Sequence, residues 1–302
     1  MLNLSATIVD VPVMTPRTVD EACAALAANP GAVALAGGTD LMVEVNAGRR
    51  HLVDVISLSS VAELRGWHRH DDRVVVGAMT TYTDLLDPAL ASLVPALSQA
   101  ARTVGSPQIR NAGTVGGNVG TASPAGDLLP VLAALDAEVE LAGVHGRRSV
   151  PLGAYVTGPK RTVRRADELI ASVSFPVTDG PQEFLKVGTR SAMVISVVSL
   201  AAVTDVRTRS VRLALGSAAP TPVRAIAAEE LLHDVCDWDG MAAGHPEPIE
   251  RSVVDRAAAS VGAAASPIDD HRSTARYRRH AVEVLARRAI RRMWPSTDDL
   301  AS

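Results

Sequence analysis

The chain has 302 residues, enough for about two packed domains at the usual ~100–200 residues each. With 47% hydrophobic and 21% charged residues it carries enough apolar surface to offset the entropy of folding, which excludes a disordered chain. The formal charge of −3, from 30 Lys plus Arg against 33 Asp plus Glu, gives no global attraction to nucleic acid or an anionic membrane, so any partner must be recognised locally.

In chain order, Thr18-Val19-Asp20-Glu21 has capping-box spacing, and the Ala/Leu-rich run behind it predicts a helix to Ala28, ended by Pro30-Gly31. Residues 32–35 read as a short buried strand running into Gly37-Gly38-Thr39-Asp40, after which residues 41–45 open a helix. Residues 52–58 and 73–78 are the next strands, with residues 67–72 as a turn between them. This short-range alternation predicts a mixed α/β unit. A second unit starts near Asp84, helical over 93–104 and then loop-like over 105–126, a length without periodicity that marks a functional loop. Residues 127–135 are helical again, 138–141 and 169–175 strand-like, and 176–181 a linker that serves as the domain boundary. Beyond it come strands around 184–187, 195–204 and 211–215, then helices from about Ile249 and Thr274. Strands followed by helices predict an α+β layer.

Two cysteines, Cys23 and Cys236, are too few for a disulfide framework, and four thiolates for an iron–sulfur cluster cannot come from this chain. The opening MLNLSATIVDVPV lacks a basic stretch followed by an apolar run, so no secretory signal is expected. The apolar run over 194–203 is broken by serines and far short of the ~20 residues that span a bilayer. A soluble, cytoplasmic protein is the expectation. Nearly all basic charge is Arg; Lys160 and Lys186 are the two lysines.

The local signals for chemistry are two glycine pairs, Gly37-Gly38 and Gly116-Gly117, 79 positions apart. Adjacent glycines permit positive φ and let backbone N–H groups approach a phosphate closely, and a helix start behind the turn adds partial positive charge. Two such turns, followed by Thr39 and Asn118, could hold the two phosphates of a dinucleotide; each could also be a sharp turn packed in a core. GxGxxG, GxxxxGK[ST] and GxSxG are all absent, which weighs against a Rossmann dehydrogenase, a P-loop ATPase and an α/β-hydrolase. His68 and His70 beside Asp71-Asp72 lack a second histidine pair and read as a solvated turn rather than a metal site. Lys186, in an apolar strand-like segment, either finds an anionic partner such as a flavin or its diphosphate, or points to water from an edge strand. Asp127 could be the N-cap of the helix that follows it. Eight arginines and one acid, Glu283, lie between His271 and Arg292 on a helix with apolar periodicity, which either docks an acidic partner or is a solvated basic face on its own domain.

The strings LAGGTDLMVEVNAGRR, IRNAGTVGGNVGTASPAGDLLPVLAALDAEVEL and FLKVGTRSAMVISVVSLAA, in this order and spacing, resemble the FAD-binding medium subunit of molybdenum hydroxylases, the xanthine dehydrogenase and carbon monoxide dehydrogenase family. The likeness runs through Tyr277-Arg278-Arg279. It implies an α+β protein: a two-subdomain FAD-binding domain of the vanillyl-alcohol-oxidase (PCMH) type over 1–178, split near 60–85, and a smaller α+β C-terminal domain over 179–302. Carried over by the resemblance as FAD contacts are Ala34, Leu35, Ala36, Gly37, Gly38, Thr39, Asp40 and Leu41 of the first loop, and Thr114, Val115, Gly116, Gly117 and Asn118 of the second. Val104, Asp127, Ile170 and Lys186 complete the set, with Arg190 secondary. The family's electrons pass from a molybdenum cofactor in a large subunit, across [2Fe–2S] clusters in a small subunit, to FAD, so the resemblance implies those two partner subunits and only the last role for this chain. No catalytic acid or base and no metal ligand is implied. A stand-alone FAD oxidoreductase of the same fold and a flavin-free scaffold are the alternatives.

Overall fold

In the computed structural model, which describes residues 11–294, Thr18 opens the first helix as its spacing predicts. Its hydroxyl accepts the Glu21 N–H at 3.1 Å, and the Glu21 carboxylate accepts the Arg17 N–H at 2.7 Å. The first ten residues, most of the segment read for a signal, and the last eight lie outside the described residues. The strands β1 (Val13–Met14), β2 (Val33–Leu35) and β3 (Val55–Ser57) form a small parallel sheet in the order β1-β3-β2. Helix α1 (Val19–Ala28) lays Val19, Ala22, Cys23 and Leu26 in the same core as Ile56. Helix α2 (Leu41–Asn46) follows the first glycine pair, and none of its residues is buried.

A second, antiparallel sheet is built from β4 (Trp67–His70), β5 (Arg73–Gly77), β6 (Glu138–Gly143), β7 (Gly146–Pro151) and, after the short α8-like turn Leu152–Tyr155 and the hairpin β8 (Val156–Gly158) with β9 (Arg161–Thr162), β10 (Leu169–Pro176). Its order is β4-β5-β10-β6-β7. The segment 67–72 is thus a strand and only its end a turn; pairing with β5 fixes it, and its polar residues suit an exposed sheet edge. Between β5 and β6 run α3 (Pro88–Leu93), α4 (Pro95–Thr103), α5 (Pro107–Ala112), α6 (Val115–Thr121) and α7 (Leu128–Ala134). The stretch read as a loop over 105–126 therefore contains two helices. Ser106 and Thr114 cap them by accepting the Ile109 and Gly117 N–H groups, and Pro107 occupies the first turn, so capping overrides the low helix propensity of the glycines.

The remaining chain forms an antiparallel sheet of β11 (Gln182–Val187), β12 (Val198–Asp205), β13 (Ser210–Gly216) and β14 (Val223–Arg224), with β12 beginning three residues later than its apolar run. Four helices follow: α9 (Ile226–Val235), α10 (Trp238–Ala243), α11 (Arg251–Ala264) and α12 (Ala275–Met293). Alternate residues of β12 serve two cores. Val198, Leu200 and Ala202 pack with α9, α11 and α12, whereas Ala201 and Val203 join Phe184 in the core that holds α4 and α7. A strand buried on both faces reads as a continuous apolar run, which is why this one was legible.

Candidate cofactor site

The turn between β2 and α2 reaches the end of α5. Gly37 lies so close to Ala112 that a Cβ would be driven into the Ala112 carbonyl, and Gly38 holds φ +71°, a conformation in which a side chain is strained. Among the described residues no acceptor meets the N–H groups of Gly37, Gly38 or Thr39. These donors, at half-buried positions next to half-buried Ala34, Leu35 and Ala36, fit the phosphates of a dinucleotide at the edge of an apolar wall.

The second glycine pair plays a different part from the one its sequence predicts. Its N–H groups are occupied: Val115 donates to Thr80 O at 2.9 Å, Gly116 to Ala78 O at 2.8 Å, Gly117 to Thr114 Oγ1 at 3.0 Å and Asn118 to Thr114 O at 3.0 Å. A Cβ on Gly116 would stand 2.6 Å from that of Ala78. Glycine is needed here so that α6 can dock on the segment after β5, and the unpaired N–H groups are those of the first loop. Tyr82 stands between the loops; its N–H donates to Gly113 O at 3.1 Å and its ring lies 2.7 Å from where a Gly113 Cβ would be. Burial pushes the Tyr82 phenol well above its ordinary pKa, Asn118 opposes that shift by hydrogen bonding, and the Asp127 and Asp40 charges add to it. Asn118 lies flat on Gly126, with its amide 3.0 Å from where a Cβ would be. Ile170, buried in β10, lies 3.3 Å from a Cβ placed on Gly120 of α6.

Lys186 of β11 answers its desolvation within the protein. Its ammonium donates to Asp127 Oδ2 at 2.7 Å, Thr103 O at 3.1 Å and Val194 O at 3.2 Å, which uses all three donors; Asp127, not a flavin, supplies the charge. Asp127 stands at the N-cap position of α7, but its side chain accepts no helix N–H; its other oxygen takes the hydroxyl of fully buried Ser196. Burial pushes the Asp127 carboxyl up, while the Lys186 ammonium and the Ser196 hydroxyl pull it down. Val104 follows Thr103 at the end of α4, so it adjoins this cluster. Arg190 is exposed and turned to Met193 O. Sequence reasoning missed Tyr82, Ser196 and the Lys160 contact described below; no motif marks the first two, and the scarcity of lysine was the signal for the third.

The contacts link Gly37 to the end of α5, Ile170 and Asn118 to Gly120 and Gly126 on and after α6, and Lys186 to Asp127 and to the residue before Val104. A glycine turn with free N–H donors beside half-buried apolar residues is the kind of surface that takes the phosphates of a dinucleotide. Residues 7–178 match the FAD binding domain in molybdopterin dehydrogenase, and residues 183–293 match the CO dehydrogenase flavoprotein C-terminal domain. The chain is 31% identical over 286 residues to the xanthine dehydrogenase FAD-binding subunit of Escherichia coli O157:H7, covering 90% of this chain and 92% of that one. It is 32% identical over 283 residues to the nicotine 6-hydroxylase medium subunit of Paenarthrobacter nicotinovorans, covering 91% and 94%. Its fold superimposes on carbon monoxide dehydrogenase of Hydrogenophaga pseudoflava with a TM-score of 0.84 at 28% identity, covering 94% of this chain and 97% of that chain. The chain belongs to the FAD-binding subunits of the xanthine and carbon monoxide dehydrogenase family of molybdenum hydroxylases, and it is an oxidoreductase flavoprotein subunit whose cofactor is FAD. No helix among the described residues is long and apolar enough to cross a membrane.

Proposed function

We propose that this chain is the electron-exit subunit of a heterotrimeric molybdenum hydroxylase, working beside an iron–sulfur small subunit and a molybdopterin-binding large subunit in the cytoplasm. The observation that carries this reading is the set of free N–H groups in loop 37–41 within a chain that has two cysteines and so cannot ligate its own iron–sulfur clusters. Bound FAD supplies a carrier that accepts electrons singly and passes them to a terminal acceptor. The protein's part is binding and orientation. Gly37, Gly38 and Thr39 donate to the pyrophosphate, and Ala34, Leu35, Ala36, Leu41, Val104 and Ile170 form apolar wall. Thr114, Val115, Gly116 and Gly117 fix α6 so that Asn118 and Tyr82 face the junction. Asp127 and Lys186 lock β11 to the end of α4 and thereby position the residues around the cofactor. The domain division falls in the 178–179 linker.

Cys23 and Cys236 are both buried and neither falls within the glycine-loop segments, so FAD is expected to be held noncovalently. Acid precipitation of the loaded full-length chain should release the colour into the supernatant; a yellow pellet would count against this site. Gly37→Val should abolish FAD loading with the helical circular dichroism retained, because the side chain and the Ala112 carbonyl cannot share the space.

A further inference from the structure

Lys160 is unusual in its backbone. Gly158 of β8 pairs with Arg161 of β9, so Pro159 and Lys160 alone make the turn, and Lys160 holds φ +55°. Proline followed by a positive φ is the pattern of a type II turn, whose second central position calls for glycine or asparagine, so a lysine there carries a steric penalty. A residue kept in such a conformation points to a task for its side chain. The ammonium of Lys160 meets Glu44 Oε1 at 2.5 Å across 116 residues of sequence, and the Lys160 N–H donates to Ala122 O at 3.0 Å.

These partners belong to the two helices that follow or contain the glycine pairs: Glu44 lies within α2, and Ala122 caps the C-terminus of α6. Glu44 belongs to α2, none of whose residues is buried, and its bond to Lys160 ties that helix to a distant part of the chain. Ala122 is the left-handed residue that ends α6. The segments 37–44 and 112–122 are therefore joined twice: where Gly37 meets the Ala112 carbonyl, and where Lys160 bridges Glu44 to Ala122. We infer that Lys160 and Glu44 form a strap that ties α2, and with it loop 37–41, to the end of α6, and that this strap sets how fast FAD leaves. The inference rests on the assignment of loop 37–41 to FAD.

The test follows FAD release from the loaded full-length chain by the rise in flavin fluorescence on dilution. Lys160→Gly and Glu44→Gln should each release FAD about two- to fivefold faster, the scale of a partly exposed ion pair. Lys160→Gly should leave the apoprotein melting temperature unchanged or raised, since glycine tolerates the positive φ; faster release without loss of stability is not what removal of a merely structural contact gives. The exchange Glu44→Lys with Lys160→Glu should return the rate to that of the wild type, and the wild-type rate should approach the single variants near 1 M salt, where screening acts over about 3 Å. Unchanged release in both single variants, or an exchange that restores nothing, overturns the strap. Gly38→Ala separates the two assignments: if it speeds release while the strap variants do not, only the strap falls, and if it too changes nothing, the cofactor site itself is misplaced.

Discussion

Lys186 and Asp127 illustrate how a buried ion pair constrains a junction. Their side chains are 10% and 7% exposed, and the pair ties the start of α7 to β11. Removing one member strands the other in a desolvated site, a cost of about 3–5 kcal/mol, whereas removing both leaves no orphaned charge. Urea denaturation of the full-length chain should show that loss for Lys186→Met and recovery of a good part of it when Asp127→Asn is added. A single-variant loss below about 1 kcal/mol would contradict the buried pairing. Asp270 is a second residue with a defined pH signature. Hydrogen bonds from the Arg272 guanidinium, helped by the Arg272 N–H and by Arg278, hold its carboxyl well below the usual carboxylate range. A carboxyl with a lowered folded-state pKa contributes stability that is present above its unfolded value of about 3.9 and lost as pH falls through the lower folded value. Asp270→Asn should therefore cost about 2–3 kcal/mol at neutral pH, the scale of hydrogen bonds to a charged group, and the gap from the wild type should close only as pH falls below about 4. A pH-independent gap would show that the contribution of Asp270 is not ionic.

At the scale of elements, α12 answers the question raised by its seven arginines and by Arg272 just before it. Arg278 is fully buried, with its guanidinium on Ser217 O and Asp270. Arg287 is held by Asp255, Arg292 by Glu183, and Arg272 before the helix by Asp270. The charge that looked available to a partner is largely used within the chain, and Val282, Leu285, Ala289 and Ile290 pack beneath it. Arg276 and Arg288 are exposed, and neither forms an ion pair among the described residues. Arg276→Glu with Arg288→Glu should leave the helix folded and the yield of co-purified partner subunits within about twofold, because exposed charges are screened over about 8 Å at physiological salt. Loss of the partners at low salt with a folded subunit would instead make this face an interface. Capping explains which elements were legible. Thr18 with Glu21 marked α1, and apolar runs marked β2, β10 and β12. Helices α5 and α6 were hidden because they are short and held by single capping hydroxyls, α6 being glycine-bearing as well, and β4 because an exposed edge strand carries polar residues.

Across the whole molecule, the site is only partly a property of local sequence. Gly37-Gly38 could be read as a close-approach turn from its letters alone, but at the second pair the N–H groups of Val115 and Gly116 are taken by Thr80 and Ala78, from a segment some forty residues upstream. The partner of Lys186 likewise lies 59 residues away and became visible only when β11 docked on α4. The division of labour yields the last expectation. With two cysteines, both buried, the chain cannot carry iron–sulfur clusters on its own thiolates, and it offers no group of three or more His, Cys, Asp or Glu placed for a metal among the described residues. An electron-exit subunit should therefore be reducible by a small external donor yet inert toward the organic substrates that a molybdenum centre hydroxylates. Under anaerobic conditions, the FAD-loaded chain alone should keep its visible absorbance when mixed with a purine or an N-heteroaromatic substrate, and lose it with dithionite. Adding the iron–sulfur and molybdopterin-binding subunits should make the flavin bleach with whichever substrate the large subunit accepts. Rapid bleaching by an organic substrate with this chain alone would reject the electron-exit role and establish a self-sufficient flavoenzyme on the same fold.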